Sequence, residues 1–150
     1  MTTLLWDAQA AVKALLTAAV AVPVYDAGDL VGEDARAFVT VGEAAENGDT
    51  ATAEQSANGA GNGWRDEVGE VPCAVTVWDG STDIAPLRVT AKALLSDCTG
   101  AVLADRTLGA LLTQQGLAEV VSVALREGQT DRGALVSAAF TVRYSAFFLL

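Results

Sequence analysis

The sequence contains no histidine. That removes Ser-His-Asp and Cys-His triads and every histidine-containing metal site. Basic residues are scarce: 9 Lys and Arg stand against 19 Asp and Glu, for a net charge of −10 and an isoelectric point near 4.2. Phosphate affinity comes from Lys and Arg, so a monomer this acidic is a poor DNA binder. The two cysteines, Cys73 and Cys98, form no CxxC or zinc pattern. They read as two partly buried thiols, with a single disulfide open in principle. Long apolar runs are missing too. Residues 8–24 are alanine-rich, but Lys13 interrupts them and Pro23 ends them, and a spanning helix needs about 20 uninterrupted apolar residues. Residues 1–7 carry an acid and no base, unlike the start of a signal peptide. The expectation is a soluble protein made in the cytoplasm.

Catalytic signatures are equally thin. The run Gly59-Ala60-Gly61-Asn62-Gly63 lacks the lysine of a phosphate loop, and Trp64-Arg65-Asp66-Glu67 opens no clear helix. The acidic pairs Glu33-Asp34 and Asp66-Glu67 are adjacent residues on polar stretches and read as solvated surface. Asp26 and Asp29 lack EF-hand spacing, and no serine sits in a GxSxG elbow. Nothing assembles a nucleophile, a base and an oxyanion site. The sequence therefore points to no enzyme, no cofactor and no metal.

What is present is a core. At 150 residues and 51% hydrophobic content, the chain reads as a single domain over 1–150, able to bury about 70% of its unfolded surface. Leu5, Ala8, Val12, Leu15, Leu16 and Ala19 recur at helical spacing, which predicts a helix over 4–20 with Thr2 or Thr3 as N-cap. Pro23 stops it. Short strands follow at 22–25 and 38–41, with a polar loop at 27–35 between them. Residues 44–68 read as a flexible, acidic and Gly-rich loop, with 50–55 a weak strand arm and 57–63 the tip. Val71, Cys73, Val75 and Val77 alternate on one face of a strand over 71–78.

Asp79-Gly80 reads as a turn, and Ser81, Thr82 or Asp83 as the cap of a second helix that tolerates Pro86 in its first turn. Its buried stripe is Ile84, Leu87, Ala91, Leu94, Leu95 and Cys98. Gly100 is a place to interrupt it, and 101–104 a place to extend it; 107–112 read as a turn or a short helical piece. The last third reads as a long hairpin, with arms at 117–126 and 134–148 and a turn at 128–133. In the second arm Ala138, Phe140, Val142, Tyr144, Ala146 and Phe148 share one face. The fold class expected is α+β: a mostly antiparallel sheet, two helices packed on one face, and a long C-terminal β-hairpin.

Charge is unevenly spread. Residues 26–83 hold 13 acids and 2 bases, Arg36 and Arg65, or −11; the rest holds 6 acids and 7 bases, or +1. The strand-and-loop middle thus predicts an acidic face or rim.

The order of these segments carries a resemblance. Val22-Pro23-Val24-Tyr25-Asp26 follows a short helix and precedes Ala37-Phe38-Val39-Thr40-Val41-Gly42. A polar loop leads to a strand ending Val75-Thr76-Val77-Trp78. Then come a helix with Leu87-Arg88-Val89-Thr90-Ala91, the stretch Asp105-Arg106-Thr107-Leu108, and a hairpin ending Thr141-Val142-Arg143-Tyr144. Over nearly the whole chain this pattern resembles the tail terminator proteins of long-tailed bacteriophages, especially those of actinobacteria. The resemblance implies a virion structural protein of the tail or neck, assembled in the host cytoplasm. It implies a homo-oligomeric ring, usually a hexamer, that stops polymerisation of the major tail tube protein and meets the head-side connector or head-closure protein. Genomic DNA would pass through the lumen without specific binding.

The candidate assembly interface comprises Asn58, Gly61, Trp64 and Arg65 in the middle loop, Trp78 on the exposed face of its strand, and Phe147 and Phe148 in the apolar C-terminal run. Two other readings stay open at this point: another head–tail connector or tail-completion protein, and a small acidic ligand-binding α+β domain.

Overall fold

The computed structural model describes residues 3–26, 36–44, 49–57, 63–112, 116–131 and 133–149. Helix α1 (Leu5–Ala19) and helix α2 (Ala85–Ala104) flank strands β1 (Val24–Asp26), β2 (Ala37–Val41), β3 (Glu43–Ala44), β4 (Asp49–Thr50), β5 (Thr52–Ala57) and β6 (Trp64–Asp79). Strands β7 (Leu117–Thr130) and β8 (Gly133–Leu149) close the chain. The main sheet runs β1-β2-β6-β8-β7, with β5 also on β6; β3 and β4 form a separate pair. Among the described residues, only β1–β2 is parallel in it. This is the expected α+β class, with both helices on one face.

Alternation places the core. Val71, Cys73, Val75 and Val77 of β6 and Val136, Ala138, Phe140, Val142 and Tyr144 of β8 are all buried. Ala8, Val12 and Leu16 of α1 and Leu87, Ala91, Leu94, Cys98 and Val102 of α2 join the same cluster. Gly100 does not interrupt α2, which runs on to Ala104. Neither helix has a side-chain cap at its N-cap residue, Leu4 or Ile84. Instead the Thr3 hydroxyl accepts from the Leu5 N–H at 3.2 Å, and Asp83 accepts from the Ala85 N–H at 3.2 Å. Thr2 and the loop at 27–35 lie outside the described residues.

Strand β6 is longer than its apolar pattern predicts. Within the stretch 44–68, read as a loop with a weak strand arm at 50–55, that arm is β5, displaced to Thr52–Ala57 and paired with β6, and the part read as loop after the tip is the start of β6. The cause is pairing: β8 matches β6 without a register shift from Trp64↔Leu149 to Asp79↔Ala134. On its other edge β6 serves two partners in succession, β2 over Cys73–Val77 and β5 over Arg65–Glu70. Pro72 sits at the junction. The Gly42 N–H donates to the Pro72 carbonyl at 2.8 Å, and the Gly42 carbonyl accepts from the Ala51 N–H at 3.2 Å. The donor that proline lacks is thus supplied by the next segment, so a proline inside a long strand leaves no orphaned carbonyl there.

The hairpin turn is tighter than expected, with Thr130 pairing directly with Gly133. Gly133 takes φ +115°, and a Cβ there would lie 2.1 Å from the Asp79 carbonyl oxygen, so only glycine fits. Gly69 is required for a different reason. Its missing Cβ makes room for the Tyr144 ring opposite, whose Cε1 lies 2.2 Å from where that Cβ would be. Gly69→Ala is therefore expected to lower stability by about 2–3 kcal/mol through overpacking, read as a shift in the urea midpoint without a change in slope.

Candidate assembly surface

The sheet has two edges, and they differ. On one flank β7 pairs only with β8, among the described residues. Its first turn is covered: the Ala118 N–H donates to the Arg106 carbonyl at 2.8 Å, and Arg106 Nε donates to the Ala118 carbonyl at 2.9 Å. Beyond the register shift between Val120 and Ser122, every residue over 121–131 is exposed. Val121, Val123 and Leu125 are 40%, 52% and 69% accessible. The end of the strand is held to α2 by a bidentate Arg88–Glu127 ion pair, 2.7 Å between Nη2 and Oε2, and by Gln129 Nε2 donating to the Thr82 carbonyl at 3.3 Å. Val89 and Leu103 of α2 are also exposed, at 70% and 65%. Leu103 lies on the same side of the helix as Arg88 by its spacing. The opposite flank is formed by β1 and β5, and β5 carries only small and polar side chains.

The residues singled out from sequence lie elsewhere. Asn58 and Gly61 fall outside the described residues. Trp64 and Phe147 come together on the face away from the helices, stacked with centroids 4.5 Å apart and planes at 7°. Val68 and Leu117, both over 40% accessible, lie on that face across from Ser145. Arg65 and Phe148 are paired on the helix face. Trp78 is at the far end of β6, about 46 Å from Trp64 at 3.3 Å per residue, where the Arg36 guanidinium sits 5.8 Å from its ring centroid. These five are half-buried, and they form two separate groups, one at each end of the sheet. The β7 edge was missed. Its signal was present: Val120-Val121-Ser122-Val123-Ala124-Leu125 is apolar on both faces, and one of them must then meet water or a partner.

The acidic middle is partly consumed inside the fold. Asp26 pairs with Lys13 at 2.8 Å, Asp79 with Arg36 at 3.3 Å and Glu70 with Arg143 at 3.5 Å. Glu67 is fully buried. Its Oε1 accepts from the Tyr144 hydroxyl at 2.6 Å and the Leu4 N–H at 3.0 Å, and its Oε2 from Gln55 Nε2 at 2.6 Å. One carboxylate thus ties the start of α1 to β5, β6 and β8.

Chemistry is sparse elsewhere. No cluster of three metal-ligating side chains exists among the described residues. The groove along the outer face of α1 is open, lined by Trp6, Ala10, Ala14 and Ala18 together with the polar Gln9, Thr17, Lys13 and Asp26, the last two paired at 2.8 Å. Cys73 and Cys98 are free and buried. Burial raises the pKa of the Cys73 thiol first, and the neighbouring Cys98 adds to it. Burial likewise pushes the Cys98 thiol up to about 12. Both are held as thiols rather than thiolates, the opposite of an activated nucleophile. Burial, then the bond to Glu67, raises the Tyr144 phenol as well. All three are favoured in their neutral forms by folding, so the stability they contribute is full below the ordinary values of 9.0 and 10.0. It is lost as pH rises through the folded-state values. The free energy of unfolding is expected to decline from about pH 9 upward. Replacing both cysteines by alanine should move that onset toward the tyrosine range, measured by urea titrations across alkaline pH.

The chain matches no protein-family model and no curated protein. No helix among the described residues is long and apolar enough to cross a membrane.

Proposed function

We propose that this protein is a virion structural component, a tail terminator that closes as a ring on the head-proximal end of a phage tail tube. It would stop tube growth and present a surface to the head-side connector. The observation that carries this reading is the pair of dissimilar sheet edges on opposite flanks, each without a further strand among the described residues and one lined with exposed apolar side chains. A contact between two unlike surfaces of the same chain is heterologous, and repetition closes it into a ring when its rotation closes. The resemblance in element order supports the same assignment. A net charge of −10 suits a lumen along which DNA slides without sticking.

The test is the mass of the purified protein by light scattering, with negative-stain images of the same fraction, alone and with tail tubes. Rings that cap tubes and block further growth are the expected result. Rings that ignore tubes but bind a head-side connector would reassign the protein to the neck. A monomer that ignores tubes would overturn the reading, and so would tight, salt-sensitive DNA binding.

A further inference from the structure

We infer that neighbouring copies join flank to flank, with the β7 edge of one copy added antiparallel to β1 of the next and its Val123 and Leu125 side chains seated along the α1 groove; this rests on the ring reading above. The sheet itself sets the geometry. Leu125 pairs with Ala138, Ala138 with Val75, Val75 with Val39 and Val39 with Val24. One row thus crosses the sheet from edge to edge. Along that path β1 is parallel to β2 and each later pairing is antiparallel, so β1 runs opposite to β7. Two copies set side by side with their helices on the same face therefore bring β7 to β1 antiparallel. Leu125 then lies level with Val24, and Val123 with Asp26. β5 is displaced along the strands, in the rows of Arg65–Glu70, and stays outside the contact.

The backbone agrees with this register. The Val39 N–H donates to the Pro23 carbonyl at 2.9 Å, so Pro23 and Tyr25 spend their groups on β2, while Val24 and Asp26 turn theirs outward. β1 has no further partner strand among the described residues. On the other flank the Ala134 N–H donates to the Ser81 carbonyl at 3.0 Å, so even-numbered residues of β8 turn toward β6. Val123, Leu125 and Glu127 pair with even-numbered residues of β8 and so turn their own groups outward. In the level register outward groups meet outward groups, at Leu125 with Val24 and at Val123 with Asp26. A slip of one residue breaks that match.

The side chains fit as well. Val123 and Leu125 stand on the helix face, beside Phe140 and Ala138, yet they are 52% and 69% accessible. Helix α2 of their own copy leaves them largely uncovered. Past β1 of the next copy, the helix layer is α1, whose groove reaches Asp26 and is walled by Trp6, Ala10, Ala14 and Thr17. Side chains entering beside Val24 and Asp26 meet that wall. The alanines leave the room that a valine and a leucine fill, and burying the pair removes apolar surface from water on both copies.

The experiment is disulfide trapping of the purified protein, alone and with tail tubes. In this register residues 24 and 125 form a hydrogen-bonded pair, whose Cα separation of about 5.5 Å suits a disulfide. Within one copy they lie at opposite edges of the sheet, about 19 Å apart, too far to bridge. The double variant Val24→Cys with Leu125→Cys is expected to give a ladder of covalent multimers that stops at the ring. Neither single variant should give multimers, and the oxidised wild type, with its two thiols buried, should stay uncrosslinked. Val24→Cys with Val123→Cys is the register control and should trap far less; stronger trapping there would overturn the level register. A second readout needs no new thiol. Ala14 is exposed on α1, so Ala14→Arg should leave the melting temperature unchanged while it fills the groove. It should raise the concentration needed for assembly about tenfold or more. Rings indifferent to Ala14→Arg, or rings whose Val24→Cys, Leu125→Cys variant stays monomeric on non-reducing gels, would overturn this interface and leave the ring reading standing. Covalent dimers from Leu125→Cys alone would replace it with a two-fold β7–β7 contact. Protein that stays monomeric with and without tubes would overturn both.

Discussion

Phe140→Asp is expected to leave no folded protein at 25 °C. Phe140 is 1% accessible and stands on the helix face of β8, between Cys73 of β6 and Val123 of β7. Truncating a buried phenylalanine costs about 3–5 kcal/mol from lost burial and the remaining cavity. The aspartate adds a carboxyl group with no donor placed for it, a further several kcal/mol. Together these match the whole stability of a typical domain, about 5–15 kcal/mol. Soluble expression and far-ultraviolet circular dichroism read the outcome. The control is Thr141→Asp, one residue along and on the opposite, half-buried face, where about 1 kcal/mol or less is expected. A folded Phe140→Asp protein with an unfolded Thr141→Asp protein would mean that β8 pairs one residue out of register.

That contrast rests on a pattern legible before any coordinates. The alternation along 134–148 and 71–78 states which side chains face inward, and the helical stripes supply what covers them. Strand β5 was not legible in the same way. Thr-Ala-Glu-Gln-Ser-Ala has weak strand propensity, and what makes it a strand is the free edge of β6 beside it. The first turns of β6 were hidden for a related reason. Arg65-Asp66-Glu67 reads as solvated loop because a buried glutamate breaks the expected pattern. Its burial makes sense only with donors from 12, 63 and 77 residues away, and no local window contains them. The assembly surface failed for the converse reason. Aromatic residues drew attention to Trp64 and Trp78, yet each is half-covered by its own neighbours. The aliphatic edge of β7, which looks like ordinary core in sequence, is the part left open.

Glu67→Ala is expected to cost about 3–5 kcal/mol. The side chain accepts three hydrogen bonds in a site with no accessible surface. Its removal strands a phenol hydroxyl, an amide N–H at the start of α1 and a carboxamide, each worth about 1–3 kcal/mol if left unpaired. Water entering the space recovers part of that, which sets the range below the simple sum. Glu67→Gln separates charge from shape. It keeps one acceptor oxygen but turns an NH2 toward either the Tyr144 and Leu4 donors or Gln55, so about 1–2 kcal/mol is expected. Tyr144→Phe should cost a similar amount, since it removes one donor and leaves the ring against Gly69. Combining Tyr144→Phe with Glu67→Ala should then cost less than the sum of the two, because the bond they share is lost only once. Additivity in urea denaturation would mean that the phenol and the carboxylate do not bond in solution. Loss of stability confined to the α1 contact, seen as faster amide exchange over 5–19 alone, would mean that Glu67 serves only the helix start rather than joining four elements.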